Sequence, residues 1–324
     1  GSVLSGVNAG TYVCTINDVN GCQKDQSVTI YEPSVLGSQI VSIDSVKCFG
    51  GTTGSAEVVG TGSTPAYTYQ WSNGTGGPLL QGVSAGNYTC DIYDYNSCST
   101  SISVDIYQPS LLTGSTIFVD SVSCNGGSNG SAQVSGSGGT GSYTFVWDNG
   151  QTGSVLSGVN AGTYVCTIND FNACSVTESV TIYEPQILDV TINDIDISCY
   201  GLSDGSASAT VSGGTSPYTF VWSNNAPSSS TVNNLPLGFY TCTIIDANQC
   251  PAAVSNQIEI TQPDSLTTSI LSVDSVSCNG DANGGAQVFV SGGTNPYTFQ
   301  WDNGQAGSVL SGVNAGTYVC TIND

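Results

Sequence analysis

The chain has 324 residues, with 24 Asp and Glu against only Lys24 and Lys47, so its formal net charge is -22. A chain this negative is repelled by nucleic acid and by anionic membrane surfaces, which argues against both as partners. It carries no apolar run of membrane-spanning length and no charged-then-apolar leader, so no membrane span or signal peptide is expected within it.

In chain order, the first recognisable unit is Gly-Ser-Val-Leu-Ser-Gly-Val-Asn-Ala-Gly-Thr-Tyr-Val-Cys-Thr-Ile-Asn-Asp. It runs from Gly1 to Asp18 and recurs letter for letter from Gly153 to Asp170 and from Gly307 to Asp324, with looser copies ending at Asp94 and Asp246. A fixed period means an array of equivalent units, here of about 76 residues each. The boundaries expected are 1–33 (the C-terminal part of a repeat), the repeats 34–109, 110–185 and 186–263, and 264–324 (the N-terminal part of another). Opening and closing inside a repeat predicts a window on a longer polypeptide.

Within 110–185, Thr116 to Cys124 reads as a strand, the Asn/Gly-rich run 125–130 as a turn, and Ser131 to Ser135 as a second short strand. Tyr143, Phe145 and Trp147 then sit at alternate positions, so in a strand they share one face. The pattern recurs as Tyr67, Tyr69, Trp71, as Tyr218, Phe220, Trp222 and as Tyr297, Phe299, Trp301. Such a row is either a sugar-stacking platform or the core of a small sandwich, and so thin a core needs it inside. Ala161-Gly162 bends the chain into Thr163 to Ile168, where Tyr164, Cys166 and Ile168 alternate onto one face. A Tyr two residues before a Cys, just after a glycine bend, is the local pattern of the tyrosine corner of immunoglobulin-like sandwiches. The upstream Cys124 lies outside the second strand, so the usual inter-sheet disulfide is not reproduced. Asp170 to Cys174 reads as a hairpin loop, and Val176, Val180 and Ile182 as the inner face of a last strand that stops at Glu184-Pro185. The same stop recurs at Pro33, Pro109 and Pro263, with almost no linker after it. Six or seven short strands per unit and no helical periodicity predict an all-β chain of tandem small immunoglobulin-like β-sandwich domains. Stacked end to end, they would form an elongated rod on the order of 130 Å at about 3.3 Å per strand residue.

The thirteen cysteines fall into three registers. Cys48, Cys124, Cys199 and Cys278 form the first, Cys14, Cys90, Cys166, Cys242 and Cys320 the second, and Cys22, Cys98, Cys174 and Cys250 the third. With no His and no Cys-x-x-Cys pair, they predict a disulfide framework in an oxidising compartment rather than a zinc or redox site.

The ordered set Ser-Cys-Asn-Gly-Gly-Ser-Asn-Gly-Ser-Ala, Gly-Gly-Thr-x-x-Tyr-Thr-Phe-x-Trp, Leu-Ser-Gly-Val-Asn-Ala-Gly-Thr-Tyr, Asp-x-Asn-x-Cys and Val-Thr-Ile-x-Glu-Pro resembles the SprB-type repeat. Such repeats occur in very large surface adhesins of Bacteroidota, including gliding adhesins exported by type IX secretion. The resemblance covers essentially the whole chain and implies an extracellular, repetitive, non-enzymatic protein. It implies a bond such as Cys124 to Cys174, with the second register left as buried thiols. The chain departs from the family pattern in that second register, where an aliphatic residue is usual. The strand order of an immunoglobulin-like sandwich favours Cys124 with Cys166 instead, leaving Cys174 free or linked to a neighbouring domain. Spacing leaves both pairings open.

Asp-Ser-aliphatic triplets place O-glycosylation candidates at Ser45, Ser121 and Ser275, with Ser265 weaker, on a resemblance to the Bacteroidota acceptor; otherwise they are strand kinks facing water. Asn73, Asn87 and Asn129 head N-glycan sequons, which carry little meaning in a bacterial protein. The pairs Asp18/Asn20, Asp94/Asn96, Asp170/Asn172 and Asp246/Asn248 have oxygen ligands suited to calcium, but an Asx turn closing the hairpin explains the same residues without any ion. No nucleophile–base pair, phosphate loop or convergent carboxylate pocket points to an enzyme. The expectation is a stalk segment of an extracellular, cell-surface-attached or released adhesin or filament. Its partners would be neighbouring repeats, other copies in a filament and surface polysaccharide, with no membrane contact in this stretch. The alternative is a multivalent module in which each repeat binds polysaccharide or a partner cell weakly.

Overall fold

The computed structural model describes residues 2–225 and 227–324. Gly1, which opens the first signature copy, and Ala226, inside 186–263, lie outside them. Among the described residues every regular element is a β-strand except a three-residue 3-10 turn at Ser223–Asn225. The chain divides into two compact units. One comprises Gly1–Phe118, Ala132–Leu156 and Thr163–Val180; the other Val119–Ser131, Ser157–Gly162 and Thr181–Asp324. The division runs through 110–185 rather than between repeats.

In the first unit, β1 (Gly10–Asn17) and β2 (Gln23–Ile30) form an antiparallel hairpin, Gly10 opposite Ile30 and Asn17 opposite Gln23. The repeat 34–109 follows with β3 (Gly37–Asp44), β4 (Gly54–Thr61), β5 (Thr68–Trp71), β6 (Leu79–Val83), β7 (Gly86–Tyr93) and β8 (Ser99–Ile106). They make two antiparallel sheets, ordered β3-β4-β6 and β5-β7-β8. This is the two-sheet order of an immunoglobulin sandwich lacking its fourth strand on one sheet.

Period-2 alternation explains the core. Along β4, Gly54, Ala56, Val58 and Gly60 turn inward and the residues between them outward. Gly60 has no side chain because the Tyr67 ring and Ile92 occupy the space; a Cβ there would lie 2.9 Å from the ring. Val46, Leu80, Val104 and Ile106 close around Trp71, which is 1% exposed and stands opposite Cys90 in the β5/β7 pair. The four Trp indoles are all buried, and each N–H donates to a backbone carbonyl: Trp71 to Gly77 (3.0 Å), Trp147 to Gly153 (3.0 Å), Trp222 to Ser229 (2.8 Å) and Trp301 to Gly307 (3.0 Å). The other aromatics of each row are half-buried rather than enclosed.

The tyrosine corner is present. Tyr12, Tyr88, Tyr240 and Tyr318 donate to the carbonyls of Asn8, Ser84, Pro236 and Asn314 at 2.8, 3.1, 3.0 and 3.1 Å. Cys90, Cys166 and Cys242, two residues beyond each corner in their repeats, are fully buried and free. Burial pushes these thiols up from their ordinary value, so little reactive thiolate exists at neutral pH.

The opening strand of 110–185 differs from the expectation. It runs from Ser110 to Asp120, beginning earlier and ending sooner than Thr116 to Cys124. Beyond it, in the second unit, Val122 N–H donates to Tyr183 O at 2.8 Å and the Val122 side chain is buried, which draws the chain out of the strand.

In the second unit the repeat 186–263 builds one sheet from Asp189–Ile195, Gly205–Ser212 and Thr231–Leu235. Its other face is interrupted: Thr219–Trp222, Cys242–Ile245 and Ala253–Val254 form one piece, Gly238–Tyr240 and Ile258–Ile260 another. The break centres on Ser255, a buried polar residue whose hydroxyl accepts from Cys242 N–H (2.9 Å) while its own N–H donates to Cys242 O (2.9 Å). In 264–324, Trp301, Leu310 and Val313 form a smaller buried cluster.

Candidate functional site

The Asp-x-Asn-x-Cys motif closes the hairpin at one end of each repeat. The Asp170 carboxylate accepts from the N–H groups of Asn172 (2.9 Å), Cys174 (2.9 Å) and Thr140 (2.9 Å). Asp246 accepts from Asn248 (3.1 Å), Cys250 (2.9 Å) and Thr215 (2.9 Å) in the same way. Asp94 accepts from Asn96 (2.9 Å), Cys98 (2.8 Å) and the Ser63 hydroxyl (2.6 Å), and Asp18 from Asn20 (2.9 Å) and Cys22 (2.8 Å). Asp94, Asp170 and Asp246 are buried, so these donors substitute for lost water. This is the Asx-turn arrangement, with the residue before each repeat's Cys, such as Ala173 at φ 63° or Gln249 at 56°, in the left-handed region. No cluster of three or more His, Cys, Asp or Glu suited to a metal exists among the described residues.

Two of these Asn side chains, Asn172 and Asn248, reach out of their own repeats. Asn172 Nδ2 donates to Lys47 O (3.0 Å) as well as to Thr140 Oγ1 (3.0 Å), and Asn248 Nδ2 donates to Ser123 O (2.9 Å) and Thr215 Oγ1 (3.1 Å). These two hairpin tips therefore dock on the opening loop of the preceding repeat, one residue before a first-register cysteine. There the disulfides close: Cys48 to Cys174, within the first unit, and Cys124 to Cys250, within the second, with Cα–Cα distances of 5.7 and 5.4 Å. Both span a sequence separation of 126. In the chain-entropy account a loop of that length contributes about 4 to 5 kcal/mol, large beside so thin a core.

Neither pairing within a repeat is found: Cys124 is bonded to Cys250 rather than to Cys174 or Cys166. Cys166 lies in the core opposite Trp147, and Cys174 lies on the hairpin tip that meets Lys47 of the preceding repeat. Cys98 stands in the register of Cys174, and Cys199 and Cys278 in that of Cys124; these thiols and those of Cys14, Cys22 and Cys320 are free here.

One set of junction residues carries no obvious sequence signal. The opening loop is held by the residue before each closing proline: Gly50 N–H donates to Gln108 Oε1 (2.8 Å), Gly126 to Glu184 Oε2 (2.7 Å) and Gly201 to Gln262 Oε1 (3.0 Å). The shared Glu/Gln-Pro ending is the only trace of that role. Ser45, Ser121, Ser265 and Ser275 are exposed, beside buried Val46 and Val122 at the first two sites.

These carboxylates couple the tips to pH. Burial works against the charged form of Asp170, but the N–H donors of Thr140, Cys174 and Asn172 outweigh it and hold its pKa below the ordinary 3.8. The Cys250 N–H leads the same effect at Asp246, and the Ser63 hydroxyl at Asp94. A carboxylate depressed by folding contributes stability above its unfolded value and loses it as pH falls through the folded one. Asp170→Asn should therefore lower the urea midpoint at neutral pH, and its gap from the parent chain should close as pH falls below about 4. Midpoints measured at a series of pH values check this, and a gap independent of pH would count against the carboxylate.

The fold and junctions define a class: an all-β array of small immunoglobulin-like sandwiches cross-linked from one repeat to the next. The sequence adds a likeness to the SprB repeat, whose family model matches four stretches of the chain, residues 40–76, 116–152, 193–227 and 270–306. No curated protein matches the chain. Among solved structures it is similar to the N-terminal eight Ig domains of the Down Syndrome Cell Adhesion Molecule, at 15% identity and TM-score 0.27, covering 98% of this chain and 56% of that one. It is also similar to Sidekick-1 immunoglobulin domains 1–5, at 11% identity and TM-score 0.36, covering 99% and 84%. The three N-terminal domains of the highly immunogenic outer capsid protein of bacteriophage RB49 match at 11% identity and TM-score 0.35, covering 70% and 98%. At such values the likenesses carry no argument about function.

Proposed function

We propose that this chain is a spacer segment of a repetitive extracellular adhesin, a stalk that holds other parts of the protein at a distance from the cell surface. The observation that carries it is where the repeated residues are used. The Trp, the corner Tyr and the second-register Cys serve each repeat's interior, and the Asp-x-Asn-x-Cys motif serves its hairpin tip. One exposed position of that tip varies instead, through Val19, Tyr95, Phe171 and Ala247. A spacer needs constant joints and tolerates variable tips. Its disulfides suit a role outside the cell, where oxidised cysteines persist.

One observation favours the binding module. Tyr31, Tyr107 and Tyr183 are exposed at the same position of successive repeats, although Thr261 replaces them in the next. Retention of the chain on insoluble polysaccharides separates the readings. The spacer predicts retention no greater than for a control protein of similar charge, unchanged when the three tyrosines become serine. Retention that rises with repeat number and is abolished by that triple variant would establish the binding module instead.

A further inference from the structure

The two disulfides overlap along the chain: Cys48–Cys174 encloses Cys124, and Cys124–Cys250 encloses Cys174. We propose that this interlacing makes residues 48–250 a covalent bypass, which keeps the chain connected after a repeat has been cut or unfolded. The inference does not depend on the spacer reading.

The topology can be followed residue by residue. The four cysteines divide the backbone into three arcs, 48–124, 124–174 and 174–250. One cut in any arc leaves every piece attached. One cut in each of two arcs does so as well, because each resulting piece still holds a cysteine bonded to another piece. Only a cut in all three arcs separates the two ends. Disulfides confined to single repeats would behave differently, since one cut between two such repeats would sever the chain.

The same arrangement limits extension. With every repeat unfolded, the shortest covalent path from Cys48 to Cys250 crosses one disulfide, runs back through the 50 peptide links between Cys174 and Cys124, and crosses the other. At about 3.5 Å per residue that path spans roughly 180 Å, against roughly 700 Å for the uninterrupted chain. The exposed loops where proteases cut, such as the run around Gly74, lie inside the arcs. The joint formed by Asn172 with Lys47 O, and by Asn248 with Ser123 O, holds each tip where its cysteine meets the neighbouring loop.

The test uses the full chain with Ser110→Lys, which adds a cleavage site between two repeats to Lys24 and Lys47. Free thiols are blocked, and the protein is digested in urea with a lysine-specific protease without reductant, so that access does not depend on folding. The bypass predicts that the pieces 48–110 and 111–324 remain one species by mass and part on reduction. With Cys174→Ser added they should part without reductant, whereas with Cys250→Ser they should stay joined. Separation of the parent pieces without reductant would overturn the proposal, as would joining that survives Cys174→Ser. Should the lysine variant fail to fold, disulfide mapping of the unmodified chain decides: peptides pairing Cys48 with Cys174 and Cys124 with Cys250 are expected, and Cys48 with Cys98 or Cys124 with Cys174 would refute it.

Discussion

Replacing Trp71 with Ala should destabilise the repeat 34–109 by about 3 to 5 kcal/mol, the range for emptying a large aromatic site in a core that collapses only partly. Trp71 is 1% exposed and fills the space between the sheets, against Cys90 and the Val58, Leu80 and Ile92 side chains. The loss also leaves Gly77 O without the indole donor 3.0 Å away. Hydrogen exchange along β7, whose Cys90 faces the indole, reads the effect locally even if other repeats unfold separately. Trp71→Phe should lose less, because most of the volume is kept. A loss below about 1 kcal/mol for the alanine variant would mean that the repeat does not depend on this residue.

The second large effect is expected at Gly213. Its φ is +68°, and a Cβ there would lie far inside van der Waals contact distance of Ile187 O, a backbone atom that cannot swing aside. Gly62, Gly138 and Gly292 stand in the same relation to the carbonyls of Val35, Leu111 and Ser265, so this close approach is a repeated feature where the opening strand meets the second one. Gly213→Ala combines a left-handed backbone penalty of about 1 to 2 kcal/mol with that clash, and a total above roughly 2 kcal/mol is expected. Gly201→Ala in the same repeat is the control. Its φ is +81° but nothing lies within 4 Å of the added carbon, so only the backbone penalty should appear. Denaturant midpoints for the two variants compare them directly, and equal losses would show that the close approach relaxes without effect.

Much of this was legible in the residues because it depends on local rules that act the same way in every repeat. Alternating Tyr, Phe and Trp share one face of a strand, and that face is turned toward the core, with the Trp fully buried and the other two half-buried. A Tyr placed after a glycine bend has a backbone carbonyl within reach four residues upstream, which is why the corner could be read from the letters. The Asx turn follows equally from Asp-x-Asn-x-Cys, since the carboxylate meets the N–H groups two and four residues on. The cysteine pairing was another matter. In a periodic chain, first- and third-register cysteines recur in every repeat, and neither spacing nor composition distinguishes a partner in the same repeat from one in the next. That choice was made by tertiary structure. The sandwich places Cys166 in the core against Trp147 and Cys174 on the hairpin tip, and the tip finds its hydrogen-bond acceptor, Lys47 O, and its sulfur partner, Cys48, on the loop of another repeat.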